Sequence, residues 1–360
     1  PADEPATDCP ETPELIPLEP AAGFCLARNL SWLDNRQELT DRVAALGGRA
    51  VRSDLLWHQI QPTEDSWNWT AADAILSSTE ASGLELIPML GYGNPWASSQ
   101  TDDETTYPPD DPADFAAFAG AVAERYLGRV HRYEIWNEPN AGYRFWKPDF
   151  EGDPVAYGEL FLAAEAAIHA ADPTAQVIVG GTFFHEQLIP GTISYTAEML
   201  EAWPEILERA DAIAFHPYTL YPPRVPPESD EGDEIPVWEM IRGLRALSGD
   251  LPILITEMGW PSYDPVTEAD QAAWLTRGML LAQAEGIQDI CWYTIFDDDE
   301  IPSNQEEAFG LTRLDGTWKP SGEAFAALAE RASRATGVGA VEGLEAGSWG
   351  VSYGEAGTAY

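Results

Sequence analysis

Eight short apolar segments, each followed by a helical pattern, constrain the fold of this chain more than any other feature. The segments are apolar along their whole length, as parallel strands covered by helices must be. The predicted strands occupy residues 23–27, 49–55, 84–90, 130–136, 176–181, 212–218, 252–258 and 289–295. Eight strands, each followed by a helix, predict an α/β fold of the (β/α)8 TIM barrel type.

An open, doubly wound sheet is the alternative fold, but it requires a glycine-rich phosphate turn after its first strand. The sequence "LARNLSW", residues 26–32, contains no such turn. A single barrel can reach the 360 residues of this chain. We predict a barrel over residues 21–337, preceded by an acidic, proline-rich linker (1–20). A glycine-rich tail (338–360) follows, which either lies over the barrel or is flexible.

The chain is strongly acidic, with 61 Asp and Glu against 19 Lys and Arg and a formal net charge of −42. Such a surface repels nucleic acids and anionic membranes, so neither is an expected partner. No apolar run reaches the roughly 18 residues of a membrane-spanning helix, so no membrane insertion is expected. The acidity fits either adaptation to salty or acidic surroundings or attraction of a cationic partner. We predict a monomer.

The first residues lack an initiator Met and a hydrophobic stretch. They are typical of a linker left after removal of a targeting segment, or of the artificial end of an expressed fragment. A secreted, periplasmic or cell-surface location is therefore expected. The cysteines are Cys9, Cys25 and Cys291, an odd number without metal-ligand spacing, so neither a metal nor a cofactor is predicted. A Cys9–Cys25 bridge and three unreactive thiols are both compatible with this count.

Two of the predicted strands end in a glutamate, at the end of the barrel where such folds carry their active sites. Glu138 follows the fourth strand in "EIWNEPN", and Glu257 lies near the end of the seventh in "ILITEMGW". Two facing carboxylates suit cleavage of a glycosidic bond, one as acid and base and the other as nucleophile or water activator. Their pKa values must then differ. Arg52, near the end of the second strand, would keep one carboxylate ionised or form a structural ion pair with Glu134.

The two glutamate motifs, in this order on strands four and seven, resemble those of the clan A glycoside hydrolases. These enzymes are retaining β-glycosidases built on the same barrel. The resemblance extends to "VRSDLLWHQIQPTEDSWNWTAADAIL", "AFHPY", "CWYTIFD" and "FGLTRLDGTWKPSGEAF", and it covers residues 23–335. Within the clan, the spacing is nearer to the β-xylosidase-like and exopolysaccharide-hydrolase-like families than to the compact cellulase type.

The resemblance implies a role for each residue that matches a motif. Glu138 would be the general acid/base and Glu257 the nucleophile, while Asn137 would donate its amide to the sugar 2-hydroxyl. Tyr218 would hydrogen-bond the nucleophile, and His216 would support the site from the sixth strand. Retention requires the two carboxyl groups to lie about 5–5.5 Å apart, whereas inversion requires roughly 6.5–9.5 Å. We expect the shorter spacing.

Aromatic residues are frequent after the predicted strands, and sugar rings stack on such side chains. The resemblance implies that Trp292 forms the platform under the sugar at the cleavage point. Further predicted sugar-binding residues are Trp57, Tyr92, Trp96, Trp146 and Trp260. Several of the aromatic residues are expected instead to pack loops onto the barrel. Long segments after strands three, four and six favour a groove, so the predicted partner is an oligo- or polysaccharide.

The sequence therefore predicts a glycoside hydrolase that cleaves β-glycosidic bonds with retention, through a covalent glycosyl-enzyme. A transglycosidase with the same two glutamates is an alternative, because a second sugar can replace water at that intermediate. A catalytically inactive, carbohydrate-binding barrel is a further alternative. The presence of both Glu138 and Glu257 argues against it.

Overall fold

Eight parallel strands form a closed barrel in the computed structural model. Each barrel strand pairs with the next along the chain, and the last pairs with the first. The predicted (β/α)8 barrel is confirmed. The structure describes residues 16–17, 23–100, 105–184, 191–219, 224–230, 234–341 and 350–355.

The barrel strands are β2 to β9, and each overlaps one of the eight predicted segments. Closure pairs the backbone groups that an open sheet would leave exposed at its edges. In chain order, the strands are β1 (Ile16–Pro17), β2 (Gly23–Ala27), β3 (Ala50–Leu56), β4 (Glu85–Gly91), β5 (Arg132–Ile135), β6 (Gln176–Phe183), β7 (Ala212–His216), β8 (Ile253–Met258), β9 (Asp289–Trp292), β10 (Ala335–Val341) and β11 (Gly350–Glu355).

The helices of the described residues surround the barrel, and none of them is long and apolar enough to cross a bilayer. Several begin with sequence signals: Asp111 and Asp153 accept hydrogen bonds from the first turns of their helices, each followed by a proline. The helices are α1 (Arg36–Ala45), α2 (Trp57–Ile60), α3 (Thr70–Ala81), α4 (Pro112–Arg125), α5 (Gly142–Phe145), α6 (Pro154–Ala171), α7 (Thr192–Ala202), α8 (Ile206–Arg209), α9 (Val237–Ser248), α10 (Glu268–Ala284) and α11 (Pro320–Arg334), with a 3-10 helix at Gln305–Ala308.

Two hydrophobic clusters form the core, one on each side of the barrel wall. Successive residues of a strand point to opposite faces of the sheet. On β2, for example, Cys25 and Ala27 belong to a cluster of mostly small side chains inside the barrel, whereas Phe24 and Leu26 pack outward against the helices. The same alternation decides which side chain at the end of each strand reaches the barrel mouth.

A separate three-stranded antiparallel sheet, in the order β1-β10-β11, lies beside the barrel. Its strand β10 begins at Ala335, before the predicted domain boundary at residue 337. Tyr353 of β11 donates a hydrogen bond to Gln283 of α10. The described part of the predicted tail is therefore paired strand that contacts the barrel helices. Most of the predicted linker, 1–20, lies outside the described residues.

A disulfide joins Cys25 and Cys291, so both sequence-based interpretations of these two cysteines are wrong. The two residues are register partners on β2 and β9, the strands that close the barrel, and both face its interior. They are 266 residues apart along the chain, which is why the sequence did not suggest the pair. Cys9 lies outside the described residues.

Removing this bridge is expected to destabilise the protein, because the disulfide restricts the unfolded chain across a very long loop. The double substitution Cys25→Ala and Cys291→Ala should lower the free energy of unfolding by about 2–4 kcal/mol. Guanidinium unfolding of the wild type in the presence of reductant should show a loss of similar size. Cys9→Ala, outside this pair, is the control. Equal unfolding midpoints for oxidised and reduced wild type would contradict the prediction.

Candidate active site

A cavity of about 210 Å³ opens at the C-terminal ends of the barrel strands. This is the end at which barrels of this type carry their active sites. Both predicted glutamates contribute to it, from strands that are not neighbours in the barrel. The cavity is lined by Arg28, Asn29, Arg52, Asp54, Tyr92, Asn137, Glu138, Arg144, Phe145, Phe183, Tyr218, Glu257, Tyr293, Glu306 and Phe309.

Glu138 is held in an unusual backbone conformation just after β5. Trp136 and Glu138 have φ angles of 70° and 45°, in the left-handed region that non-glycine residues seldom adopt. The backbone N–H of Glu138 donates to the carbonyl of Gly181, and its own carbonyl accepts from the N–H of Ala141. Such conformations cost about 1–3 kcal/mol each and persist where the surrounding structure imposes them. Here the turn directs the carboxylate into the cavity.

Arg52 is a buried cation that joins three side chains of the site. Its Nη1 donates to Oε1 of Glu257 at 2.6 Å, and its Nη2 donates to Oδ1 of Asn137 at 2.8 Å. Its Nε and Nη2 both donate to the carboxylate of Glu134. The two roles that the sequence left open for Arg52 therefore occur together. Because Oδ1 of Asn137 is occupied by a donor, its amide nitrogen is left to face the cavity.

Glu134 is an ionised carboxylate beneath Glu138 and Glu257. Burial alone would raise its pKa, but the charge and hydrogen bonds of Arg52 outweigh burial and lower the pKa of Glu134 below its usual value. Its carboxylate also accepts hydrogen bonds from the backbone N–H of Gly181 and the hydroxyl of Thr256. Glu134 is thus a fully satisfied structural anion.

The predicted nucleophile, Glu257, is oriented by two donors. Arg52 binds one carboxylate oxygen, and the hydroxyl of Tyr218 donates to the other at 3.1 Å. Burial, together with the negative charge of Glu257, raises the pKa of Tyr218 well above its ordinary value. Tyr218 therefore stays protonated and continues to donate over the working pH range of any such enzyme.

The hydrogen bonds around Glu138 and His216 allow two arrangements of their protons. The single hydroxyl hydrogen of Thr256 goes to the anionic Glu134, so Thr256 can only accept from Nε2 of His216, 3.1 Å away. In a neutral His216, Nδ1 then carries no hydrogen, and Glu138, whose Oε1 lies 2.8 Å from Nδ1, must donate. The alternative is an imidazolium that donates to an ionised Glu138. In both arrangements one proton lies between Oε1 of Glu138 and Nδ1 of His216.

The ligand atoms of Glu138, His216 and Glu257 all lie within 4.8 Å of one another. One carboxylate oxygen of Glu138 and one of Glu257 are thus near each other, in the direction of the short carboxyl spacing of about 5–5.5 Å that accompanies retention. Among the described residues, these side chains are also close enough together to hold a metal ion. However, the contacts with Arg52 and Tyr218 already satisfy Glu257 within the protein.

The aromatic predictions are only partly met. Tyr92 lines the cavity and stacks on Phe145, with ring centroids 5.4 Å apart. Trp96 is half-buried, packs edge-on against Trp57 and does not line the cavity. Three further predicted sugar-binding residues are buried in the core between the barrel and the helices. They are Trp57, Trp146 and Trp260.

The prediction that Trp292 forms the platform under the sugar is wrong. Its side chain is fully buried, lies against Trp260 and donates to the carbonyl of Phe309. The next residue, Tyr293, lines the cavity instead. Since Cys291 faces the barrel interior, the alternation along β9 points Tyr293 inward and Trp292 outward. This alternation was available in the sequence.

Asp54 is another cavity residue that the sequence reading missed. It lies two positions after Arg52 on β3, so both side chains point to the inner face of the barrel. Burial raises the pKa of Asp54 to about 7. The positive charge of Arg52 opposes this shift, and the negative charge of Glu257 adds to it. The signal that could have found Asp54 is this spacing of two residues from the predicted Arg52.

Comparison with known proteins identifies the family. The model of the family described as "Cellulase (glycosyl hydrolase family 5)" matches residues 19–297, which is well over half of the chain. The chain belongs to glycosyl hydrolase family 5. This family 5 protein is thus a clan A glycoside hydrolase, as the glutamate motifs predicted, and its substrate is a carbohydrate. No curated protein sequence matches it.

Solved structures share the fold of this family 5 hydrolase. A family 39 glycoside hydrolase from Bacteroides cellulosilyticus is 21% identical with a TM-score of 0.71, over 94% of this chain and 69% of that one. A monomeric β-xylosidase from Caulobacter crescentus is 20% identical with a TM-score of 0.65, over 87% and 68%. A GH5_18 structure from Streptomyces cattleya, in complex with GlcNAc, is 18% identical with a TM-score of 0.67, over 87% and 80%. The expected nearness to β-xylosidase-like families stays a prediction.

The raised pKa of Asp54 predicts a pH-dependent stability difference between the wild type and Asp54→Asn. Between about pH 4 and pH 7, native Asp54 keeps a proton that the unfolded chain has lost, so the stability of the wild type falls as the pH rises. The variant cannot ionise at this position. Its melting temperature relative to the wild type should therefore increase from pH 4 to pH 7 and level off above.

Differential scanning fluorimetry across this pH range tests the prediction. The control is Asp65→Asn, which removes an equal charge from an exposed loop residue. A difference between Asp54→Asn and wild type that stays constant from pH 4 to pH 8 would show that native Asp54 titrates like an exposed carboxylate.

Proposed function

We propose that this family 5 hydrolase cleaves β-glycosidic bonds of an oligo- or polysaccharide with retention of anomeric configuration. Glu138 is the general acid/base and Glu257 the nucleophile. The observation that carries the proposal is that a carboxylate oxygen of Glu138 and one of Glu257 lie within 4.8 Å of each other at the barrel mouth. Such close carboxylates favour direct attack on the anomeric carbon over attack by an intervening water.

In the first step, a carboxylate oxygen of Glu257 attacks the anomeric carbon. The bond from that carbon to the glycosidic oxygen breaks, and the leaving oxygen takes the proton shared by Glu138 and His216. The product is a glycosyl ester of Glu257. Arg52 and Tyr218 hold this carboxylate in position for the attack through their hydrogen bonds, and they stabilise it again as a leaving group.

In the second step, Glu138 removes a proton from a water molecule, whose oxygen attacks the same carbon. The ester bond to Glu257 breaks, and the sugar leaves with its original configuration after two inversions. The amide nitrogen of Asn137, oriented by its bond to Arg52, donates to the sugar 2-hydroxyl. This hydrogen bond strengthens in the transition state.

A substrate with several sugar rings is supported by aromatic side chains around the mouth. Tyr92 and Phe145 form a stacked wall of the cavity. Trp32 follows three residues after the cavity-lining Asn29 and is 68% exposed, which leaves its indole free to stack on a ring outside the cavity. One similar structure is a β-xylosidase and another is a complex with GlcNAc, so both sugars belong among the substrates to be tested.

The proposal includes a secreted, periplasmic or cell-surface location and a monomeric state. The Cys25–Cys291 bridge supports the location, because disulfides persist in oxidising compartments and are rare in the cytosol. A monomer is supported by the monomeric β-xylosidase of similar fold.

The function is tested with a panel of β-glucan, xylan, exopolysaccharides and aryl β-glycosides. We expect release of reducing ends or aryl groups from at least one substrate. Proton NMR of the first turnovers should show the β-anomer as the initial product. Initial formation of the α-anomer would contradict retention. Excess acceptor sugar in the same assay distinguishes hydrolysis from transglycosylation.

Replacing the nucleophile tests the covalent step. Glu257→Ala should lower kcat by several orders of magnitude, since residues of such a unit act together. Azide should restore turnover of an aryl β-glycoside and yield the α-glycosyl azide, because it enters from the side of the missing carboxylate. Glu64→Ala, which removes an exposed carboxylate, is the matched control. Rescue that yields no glycosyl azide would contradict a covalent intermediate.

A further inference from the structure

Asp54 lies in the catalytic cavity but takes no part in the two chemical steps. It follows Arg52 by two residues on β3, and both side chains face the barrel mouth. Arg52 in turn binds the nucleophile Glu257. Asp54 is therefore a neighbour of the sugar ring that the nucleophile attacks.

The orientation of the Asp54 carboxyl group is determined by the loop after β2. The backbone N–H and the hydroxyl of Ser31 both donate to Oδ1 of Asn29, at 2.9 and 2.6 Å. Because this atom accepts two hydrogen bonds, it must be the amide oxygen of Asn29, and the other amide atom must be the nitrogen. That nitrogen, Nδ2, donates to Oδ2 of Asp54 at 2.8 Å. The Ser31–Asn29–Asp54 chain thus holds the carboxyl group in one position within the cavity.

The other carboxyl oxygen, Oδ1, has no hydrogen-bond partner among the residues that the structure describes. The neighbouring cation Arg52 donates instead to Glu134, Glu257 and Asn137. Asp54 is half-buried and lines the cavity, so Oδ1 is open to a molecule bound there. The hydroxyl groups of a sugar are donors from which a carboxyl oxygen can accept a hydrogen bond.

We propose that Asp54, positioned by Asn29, binds a hydroxyl group of the sugar ring at the cleavage point. The Asn29–Asp54 pair thereby selects a neutral, hydroxylated ring. Above about pH 7, where Asp54 is ionised, a carboxylated or sulfated substituent at the same place would be repelled by its charge. This inference rests on the proposed function and narrows its substrate class.

The test uses the aryl β-glycoside that the wild type cleaves fastest, together with its deoxy analogues at each hydroxyl other than the 2-hydroxyl. In the wild type, one deoxy analogue should lose about 10- to 100-fold in kcat/KM, the value of a hydrogen bond to a charged group. In Asp54→Ala, the parent glycoside and that analogue should be cleaved with equal kcat/KM. A purely structural role for Asp54 would lower both rates and leave their ratio unchanged.

Asp54→Asn, which is nearly isosteric, provides a second folded variant and should reduce the same ratio. Asp65→Ala, at an exposed loop position, is the matched control and should retain the wild-type ratio. A folded Asp54 variant that keeps the full preference for the parent glycoside would overturn the inference and leave the proposed function intact. A wild type that cleaves no glycoside of the panel would overturn the proposed function itself.

Discussion

The guanidinium group of Arg52 is the one cation on which the arrangement of the active site depends. It is buried, and it donates to Glu134 inside the barrel, to Glu257 at the end of β8 and to Asn137 after β5. Taking one partner from a buried ion pair costs far more than breaking a surface pair, because the remaining charge stays desolvated. The positions of Glu257, the proposed nucleophile, and of Asn137, which is expected to bind the sugar 2-hydroxyl, are therefore linked through one side chain.

This linkage is possible because the barrel is closed. Strands β3, β5 and β8 are not all neighbours in the sheet, yet their inward-facing side chains meet across a narrow interior. Small residues such as Ala212 and Ala214 fill the layer below, which leaves the polar residues at the mouth. The Cys25–Cys291 bridge lies at the contact of β2 with β9, where the first and last barrel strands complete the ring.

The elements with strong local patterns were predicted well. The eight strands, the two glutamates at strand ends and Arg52 follow from apolar runs and their polar termini. The aromatic predictions succeeded less often, because a position near the end of a strand does not by itself tell whether the side chain points into the barrel mouth or out towards the helices. Trp292 and Tyr293 are adjacent in sequence, yet one is in the core and the other lines the cavity. Counting in steps of two from Cys291 or Arg52 would have assigned Tyr293 and Asp54 to the mouth.

The sequence by itself determined the barrel, the two glutamates at its strand ends and the clan, because these depend on periodicity and on local motifs. Only the tertiary structure decided how far apart the carboxylates lie and which cysteines pair. It also showed that Arg52 contacts Glu134 and Glu257 at once, and that Glu138 is hydrogen-bonded to His216. The physical reason is that these properties are distances and hydrogen bonds between residues far apart in the chain, which exist only after the strands have closed into a ring.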